Sequence, residues 1–227
     1  MAQQNNIVQG APATNVASSR SFADSPTLSD VTIKFGEHTF HAHKVVLAMK
    51  SDWFRAAFCG NFIESGQSEI TLHGDDPDAL RFVLQTAYED TWTPETGGIP
   101  FLLRVYRVSA KYQLESTKKK AMRFILATFR RLLRKIDQKG DEMLDDFMKV
   151  MLEIYDGEEP LPAIAEDIID VLCDQSPGVF SIRSPNVHKA VVDTSKQIAA
   201  FAQDMLPKIM LTVGNRDTSP YSSDLSY

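Results

Sequence analysis

Cysteines, targeting signals and long apolar runs are scarce or missing in this 227-residue chain. The two cysteines, Cys59 and Cys173, are too few and too far apart in sequence for a disulfide framework or a cysteine-rich zinc site. The N-terminus has no basic start followed by an apolar run, and no apolar stretch approaches the length of a membrane span. We therefore expect an intracellular protein with reduced thiols, and the sequence does not distinguish nucleus from cytoplasm.

The motifs of common enzyme classes are also missing. The sequence contains no G-x-G-x-x-G, P-loop, G-x-S-x-G or H-E-x-x-H pattern, and Cys59 has no nearby base with an orienting partner. His41 and His43 would share one face of a strand, as some metal ligands do, but a third ligand is not evident. We expect no enzyme activity, no cofactor and no bound metal, and we assign His43 a structural hydrogen-bonding role.

Charge is divided unevenly along the chain. The formal net charge of −6 disfavours a surface built mainly for nucleic acid. One stretch is strongly basic and contains Lys118, Lys119, Lys120, Arg123, Arg130, Arg131, Arg134, Lys135 and Lys139. The next is strongly acidic and contains Asp141, Glu142, Asp145, Asp146, Glu153, Asp156, Glu158, Glu159, Glu166, Asp167, Asp170 and Asp174. We expect neighbouring helices of opposite charge to face each other; the alternative is contact between the basic run and phosphates.

Apolar periodicity predicts a small α+β domain followed by helices. Alternation over 31–35 and 39–41, around Gly36-Glu37, predicts a β-hairpin, and alternation over 68–72 predicts a third strand. Helical spacing runs through two short pieces within 44–58, with Ser51 or Asp52 as the N-cap between them. It then runs through 77–88, where Asp76-Pro77 has the form of a helix start, and through 101–114 and 121–133. Three further helices are predicted near 143–154, 164–172 and 186–206. The expected fold class is therefore α+β, a small three-stranded sheet covered by helices, with an all-α extension.

Composition sets the expected domain boundaries. Residues 1–27 and 213–227 are polar and offer little to bury, so we expect a disordered N-terminal arm and a disordered tail. The sheet and its helices should occupy residues 28–135. The helical C-terminal extension should occupy residues 140–212.

The residues that fill this order resemble the BTB/POZ domain. The resemblance lies in Asp30-Val31, in the stretch FHAHKVVLA at 40–48 that leads to SDWF at 51–54, and in ITL at 70–72. It continues in DPDAL at 76–80 and VYRVSAKYQL at 105–114, so it covers about residues 28–130. The spacing around Tyr88 is similar to that of single-domain BTB proteins common in filamentous fungi. The resemblance implies a non-catalytic interaction domain that forms homo- or hetero-oligomers and, in many members, recruits a cullin of a ubiquitin ligase.

The resemblance suggests a cullin contact before the third strand. Cullin-binding members have an apolar residue, any residue and then an acid at this place, and Phe62-Ile63-Glu64 fits that pattern. An apolar anchor can fill a partner pocket while a nearby carboxylate fixes the register. The alternative is that Phe62 only packs this loop onto its own domain.

A second site hypothesis concerns Asp30 and Lys44. In dimeric transcriptional members an acid and a base at these positions form a charged pocket, and both residues are present here. The alternative is an internal structural role at the base of the hairpin. The residues before Asp30 lack helical periodicity, so we expect the N-terminal strand-exchange element of many metazoan dimers to be missing.

These observations predict a protein-interaction module, with an adaptor that recruits a cullin-type ubiquitin ligase as the leading hypothesis. No kelch, MATH, ankyrin or zinc-finger module is present to bind a target, so the C-terminal helices or the tails would have to do so. The alternatives are a homo-oligomerising scaffold and a transcriptional co-regulator with no ligase connection.

Overall fold

A computed structural model describes residues 22–60, 66–89, 98–157, 160–174 and 184–214, with backbone only for 174 and 211–214. Its N-terminal elements are β1 (Val31–Phe35), β2 (His38–Ala42), α1 (Lys44–Lys50), α2 (Asp52–Cys59), β3 (Glu69–Leu72), α3 (Pro77–Thr86), α4 (Gly98–Lys111) and α5 (Glu115–Lys139). A 3₁₀ turn (Gly140–Met143) leads to α6 (Leu144–Tyr155), α7 (Pro162–Asp174), α8 (Pro185–Gln197) and α9 (Ala199–Gly214). The predicted fold class, a small sheet with helices followed by an all-α part, is confirmed.

The sheet has the strand order β2-β1-β3. β1 and β2 form the predicted antiparallel hairpin, which turns at Gly36 with a φ of +54° that suits glycine. β3 pairs with β1 in parallel, with Ile33 opposite Ile70. Alternate residues of β1, namely Val31, Ile33 and Phe35, are buried on one face. The two-residue period therefore places one face of the sheet against the core.

Two predicted helix starts are confirmed by their caps. The Ser51 hydroxyl accepts a hydrogen bond from the backbone N–H of Phe54 at 3.0 Å and so caps α2. The Asp76 carboxylate accepts one from the N–H of Ala79 at 2.8 Å, with Pro77 at the first position of α3. Both caps satisfy backbone donors that the first helical turn would otherwise leave without a partner.

Helix α5 is longer than predicted and connects the two parts of the chain. The sequence predicts a helix over 121–133, whereas α5 spans 115–139, because both ends are mostly polar and lack the apolar periodicity that marks its centre. The Phe129 ring lies 5.8 Å from the Phe147 ring of α6. Leu133 and Ile136 are buried in the same hydrophobic cluster that begins at the sheet. The boundary expected at residue 135 thus falls inside one continuous helix and one continuous core.

The C-terminal helices differ from the prediction in number. The single helix predicted over 186–206 is two helices, because Ile198 adopts an extended conformation (φ −115°, ψ 95°) and its side chain is buried at the break. The bend lets α9 pack on α7 as well as on α8. Helical periodicity continues across such a break, so the pattern alone could not reveal it.

The sequence predicts that the basic run faces the acidic helices. Among the described residues this prediction is wrong, because the acidic side chains form their ion pairs with other helices. Glu153 pairs with Arg107 of α4, Asp141 with Lys189 of α8, and Asp170 with Lys208 of α9. The basic side chains of α5 instead lie mostly on its exposed face. The helices are neighbours, but they contact each other through apolar faces.

The ordered domain begins earlier than the composition indicates. Phe22 and Ala23 pack against the core, and Asp24 forms an ion pair with Arg81 of α3. Residues 22–27 were expected in the disordered arm, but contacts with distant side chains fix them. The rest of that arm, residues 1–21, lies outside the described residues, as does the tail from residue 215; the backbone of α9 continues to Gly214.

No helix in the described ranges is both long enough and apolar enough to cross a membrane.

Candidate protein-interaction surface

Side chains from elsewhere in the domain close the outer edge of β2. In its pairing with β1, the backbone N–H groups of His41 and His43 point away from the ladder. The N–H of His41 donates to Asp24 Oδ1 at 3.0 Å, and the N–H of His43 donates to the Tyr88 hydroxyl at 2.8 Å. These two donors are therefore not available to a further strand.

The imidazole of His43 is held inside this closed edge. Its Nδ1 lies 3.1 Å from the Tyr88 hydroxyl, and its Nε2 lies 2.9 Å from the backbone carbonyl of Thr27. His43 is buried, and the Phe22 ring meets it edge-on at 5.8 Å. Both ring nitrogens thus have protein partners, as expected for a histidine with a structural hydrogen-bonding role. Within the described ranges, no group of three His, Cys, Asp or Glu side chains is placed to hold a metal.

The same hydroxyl has a raised pKa. Burial raises the pKa of Tyr88 to about 12, against the effect of the hydrogen bond from the His43 backbone, which lowers it. The neutral phenol is therefore the form that closes this edge of the sheet. Asp30, the next contributor, raises the pKa further by its negative charge.

The outer edge of β3 is arranged differently. The N–H of Thr32 donates to the carbonyl of Ser68 at 2.8 Å, and the parallel register places Thr32 opposite Glu69. Alternation along the strand then directs the backbone groups of Ile70 toward β1 and those of Glu69 and Thr71 away from it. β3 is the edge strand of the three-stranded sheet, so these outward groups face the space beside it.

A groove lies beside that edge. We call it the β3 groove; it has a volume of about 300 Å³ and is lined by Trp53, Gln67, Ile70, Thr71, Leu72, His73, Lys111 and Tyr112. Helix α2, strand β3 and the end of α4 each contribute to its wall. Because these elements are distant in sequence, only the tertiary fold forms the groove.

Aromatic rings form one wall of the β3 groove. Trp53 meets Phe54 edge-on at 4.9 Å and Tyr112 edge-on at 5.0 Å, while Phe54 stacks on Tyr112 at 5.7 Å. The carbonyl of Tyr112 accepts a hydrogen bond from the Ser51 hydroxyl at 2.6 Å. The wall is therefore held at several points and should change little when a partner binds.

Charge at the end of the groove is paired. Lys111 Nζ lies 2.9 Å from both carboxylate oxygens of Asp75 and donates to the carbonyl of His73 at 2.9 Å. The Tyr112 hydroxyl donates to Asp75 at 2.6 Å. Burial raises the pKa of Tyr112, and the hydrogen bond and negative charge of Asp75 raise it further, so this phenol stays protonated at neutral pH.

A second surface feature is the exposed apolar face of α1. Val45 is 64% exposed and Met49 is 76% exposed, and these residues are one helical turn apart. Leu28 is 79% exposed and lies in the segment that the Thr27–His43 contact holds against the start of α1. Two exposed apolar side chains one turn apart, with a third on the segment held near the start of the helix, indicate a contact site.

Asp30 and Lys44 contact each other at the base of the hairpin. Asp30 Oδ1 accepts a hydrogen bond from the backbone N–H of Lys44 at 2.7 Å, so this carboxylate supplies a cap for the first turn of α1. Lys44 Nζ lies 5.6 Å from the centre of the Phe58 ring. The two residues of the predicted charged pocket thus lie close together, and the Asp30 carboxylate contacts a helix terminus.

The predicted cullin contact, Phe62, Ile63 and Glu64, lies outside the described residues. Its flanks are described: Gly60 ends α2, and Gly66 precedes β3. Both of these elements line the β3 groove through Trp53 and Ile70. Sequence reasoning missed the groove itself, although Trp53, a large aromatic residue nine positions before Phe62, was a signal that could have pointed to it.

Comparison with known proteins finds a family match in the N-terminal part of the chain, which contains the sheet and the β3 groove. A family model described as the BTB/POZ domain matches residues 20–129. The chain is 46% identical over 61 residues to Kelch-like protein 26 of Mus musculus and 44% identical over 64 residues to Trishanku of Dictyostelium discoideum. It is 41% identical over 64 residues to Kelch-like protein 28 of Homo sapiens.

These alignments are partial. They cover 27% or 28% of this chain and 9% to 11% of the relatives, so the chain spans about a tenth of their length. Among solved structures, the BTB domain of zebrafish PATZ1 aligns at 26% identity over 43% of this chain and 75% of that chain, with a TM-score of 0.36.

Proposed function

Residues 20–129 of this chain are a BTB/POZ domain, a protein-interaction module, and from that premise we propose that the chain is an adaptor that recruits a cullin of a ubiquitin ligase. Its partners are proteins. The similarity to Kelch-like proteins supports the finer assignment, since cullin recruitment is common among BTB proteins. The proposed contact residues are Phe62, Ile63 and Glu64.

One observation carries the proposal: the apolar-x-acid motif is joined at both ends to the elements that form the β3 groove. α2 ends at Cys59 and β3 begins at Glu69, and these two elements line the groove through Trp53 and Ile70. A partner that takes Phe62 as an anchor would therefore meet the groove in the same contact. A well-buried aromatic anchor can contribute ~2 kcal/mol or more to binding.

The groove offers features that suit a partner helix or an extended segment. Trp53 and Tyr112 present an apolar wall, and the backbone groups of Glu69 and Thr71 lie along the neighbouring edge. Aromatic residues held in place by other contacts are the usual anchors of protein interfaces. Glu64 would add a charged contact that fixes the register.

The adaptor role also requires a region that binds a target. The matched relatives extend far beyond the part aligned here, so their own target-binding regions do not transfer to this chain. We propose that helices α6 to α9, or the segments outside the described residues, present the target. In this proposal residues 28–135, together with residues 22–27 that pack on them, form the interaction domain, and residues 140–212 form the extension.

The test is a titration of the full chain with the N-terminal domain of its host's BTB-binding cullin. We expect micromolar or tighter binding and a loss of tenfold or more, about 1.4 kcal/mol, in a Phe62→Ala, Glu64→Ala double variant. A Val45→Ser, Met49→Ser variant is the matched control, because it changes two exposed apolar residues on α1 instead. The proposal fails if the folded wild type does not bind, or if the control loses as much affinity as the motif variant.

A homo-oligomerising scaffold is the second candidate, and the exposed apolar face of α1 favours it. A second copy that covers Val45, Met49 and Leu28 would remove this apolar surface from water. Light scattering should then give the mass of a dimer for the wild type and of one chain for the Val45→Ser, Met49→Ser variant. A wild type that remains a single chain at high concentration would exclude this candidate.

A further inference from the structure

One face of α5 carries a row of basic side chains. The buried residues Ala121, Ile125, Phe129, Leu132 and Ile136 define the core side of this helix. The opposite side carries the residues that we call the α5 basic row, namely Lys119, Arg123, Arg130 and Arg134. Arg130 is half-buried and the other three are exposed. The row extends about 22 Å along the helix at ~1.5 Å per residue.

Helix α6 and the turn before it carry an acidic counterpart. Phe147, Val150, Met151 and Ile154 are buried, so they define the core side of α6. The exposed side carries the residues that we call the α6 acidic row, namely Glu142, Asp145, Asp146 and Asp156. This row extends about 20 Å, nearly the same length as the basic row.

The two rows do not neutralise each other within one chain. Among the described residues, the ion pairs of the acidic stretch go to Arg107, Lys189 and Lys208, none of which belongs to α5. Both α5 and α6 turn their apolar sides toward the common core, so their charged sides face outward. Within the described part of the chain, each row is therefore exposed to another molecule.

The internal patterns of the rows also match. The basic row has a gap at its centre, where Ala127 lies between Arg123 and Arg130. The acidic row has one cation at its centre, Lys149, beside the 40% exposed side chain of Leu152. If the basic row of one copy lies beside the acidic row of the other with their centres aligned, Lys149 of α6 faces the gap at Ala127 of α5. This holds whether the two helices run parallel or antiparallel. No like charges are then opposed.

We propose that the α5 basic row of one copy binds the α6 acidic row of a second copy. This contact joins two different surfaces, so each copy keeps one row of each kind available, and the contact can repeat into a ring or a chain. It does not depend on cullin binding or on the apolar face of α1. The contact brings together charged and exposed groups, so it should weaken as salt screens them.

The observations favour a second copy over nucleic acid. Outside residues 118–139, acids outnumber bases by about two to one, so the rest of the surface repels a polyanion. Phe129 is fully buried and Phe124 packs against the core, so neither ring is presented for stacking on bases. The α6 acidic row matches the basic row in length and in pattern.

The test measures mass against protein concentration by light scattering in 50 mM and 500 mM NaCl. We expect the wild type to gain mass with concentration at low salt and not at high salt. A Lys119→Glu, Arg123→Glu, Arg134→Glu variant and a Glu142→Lys, Asp145→Lys, Asp156→Lys variant should each associate at least tenfold more weakly. The chain with all six changes has the wild-type net charge and the opposite sign at three of the four positions of each row, so it should regain salt-sensitive association.

The matched control is a Lys50→Glu, Arg55→Glu, Lys196→Glu variant, which has the same charge change as the α5 variant but leaves both rows intact. It should associate like the wild type, and circular dichroism should show that all variants are folded. The proposal is overturned if the wild-type mass does not depend on salt, if the six-fold variant fails to associate, or if the control loses as much as the row variants. Binding of a short DNA duplex that needs the basic row, without self-association, would also overturn it.

Discussion

The two edge strands of the small sheet, β2 and β3, differ in what lies against their outward backbone groups. At β2, the outward N–H groups of His41 and His43 are bonded to Asp24 and Tyr88, side chains that are distant in sequence. At β3, the outward groups belong to a short strand that faces a groove with an aromatic wall. Edge strands attract further strands unless they are covered. Within the described residues, distant side chains bond the outward donors of β2, whereas the outward groups of β3 lie beside the groove that we propose as a contact surface.

Proline substitution in β3 should have the largest effect on this comparison. Ile70→Pro removes a donor that points toward β1 and alters a buried side chain, so we expect it to lower the free energy of unfolding by ~3 kcal/mol or more. Thr71→Pro removes a donor that points outward, so we expect a loss of about 1 kcal/mol or less. Urea unfolding of both variants measures the contrast. Equal losses would mean that the outer edge of β3 is not open.

Loss of the Tyr88 hydroxyl should open the sealed edge. Tyr88→Phe leaves the buried N–H of His43 without its acceptor, which should cost ~2 kcal/mol and lower the melting temperature by several degrees. Thermal unfolding followed by circular dichroism measures the change. A variant as stable as the wild type would show that the hydroxyl is not needed to seal β2.

Alkaline pH should act on the same hydroxyl. The unfolded chain releases the Tyr88 proton near pH 10 and the folded chain near pH 12, so the folded state binds more protons in between and stability falls as the pH rises. The loss attributable to Tyr88 should be at most ~1.4 kcal/mol per pH unit, complete by about pH 12. Unfolding of the wild type and of Tyr88→Phe at pH 9, 10 and 11 isolates it. Parallel pH profiles would contradict the assignment.

Substitutions of Asp24 should have the smallest effects on the free energy of unfolding. Asp24→Ala removes both the acceptor for the N–H of His41 and the ion pair with Arg81, and should cost ~1 kcal/mol. Asp24→Asn keeps an oxygen acceptor and loses only the charge, so it should cost ~0.5 kcal/mol. Chemical unfolding of the two variants compares the contribution of the hydrogen bond with that of the ion pair. If the asparagine variant is as unstable as the alanine variant, the ion pair rather than the hydrogen bond fixes this segment.

Local patterns predicted most of the elements because their causes are local. The two-residue alternation around Gly36 and the Asp76-Pro77 helix start both depend on residues close in sequence, and both are confirmed. The break at Ile198 was not predicted, because burial of that side chain between helices decides it. The order of residues 22–27 was also not predicted, because Arg81 and His43 lie far away in sequence.

The features of the candidate site were also predicted where their causes are local and missed where they depend on the tertiary fold. The sequence alone identified the BTB resemblance, the apolar-x-acid motif at Phe62 to Glu64 and the uneven charge, because each is a property of neighbouring residues. Only the tertiary structure placed Trp53, Ile70 and Tyr112 around one groove and turned the α5 basic row away from the α6 acidic row. Helices α5 and α6 bury their apolar faces in a shared core, so the position of the core decides where the charges point. Charge alone could not decide it, since exposed ion pairs contribute little compared with apolar burial.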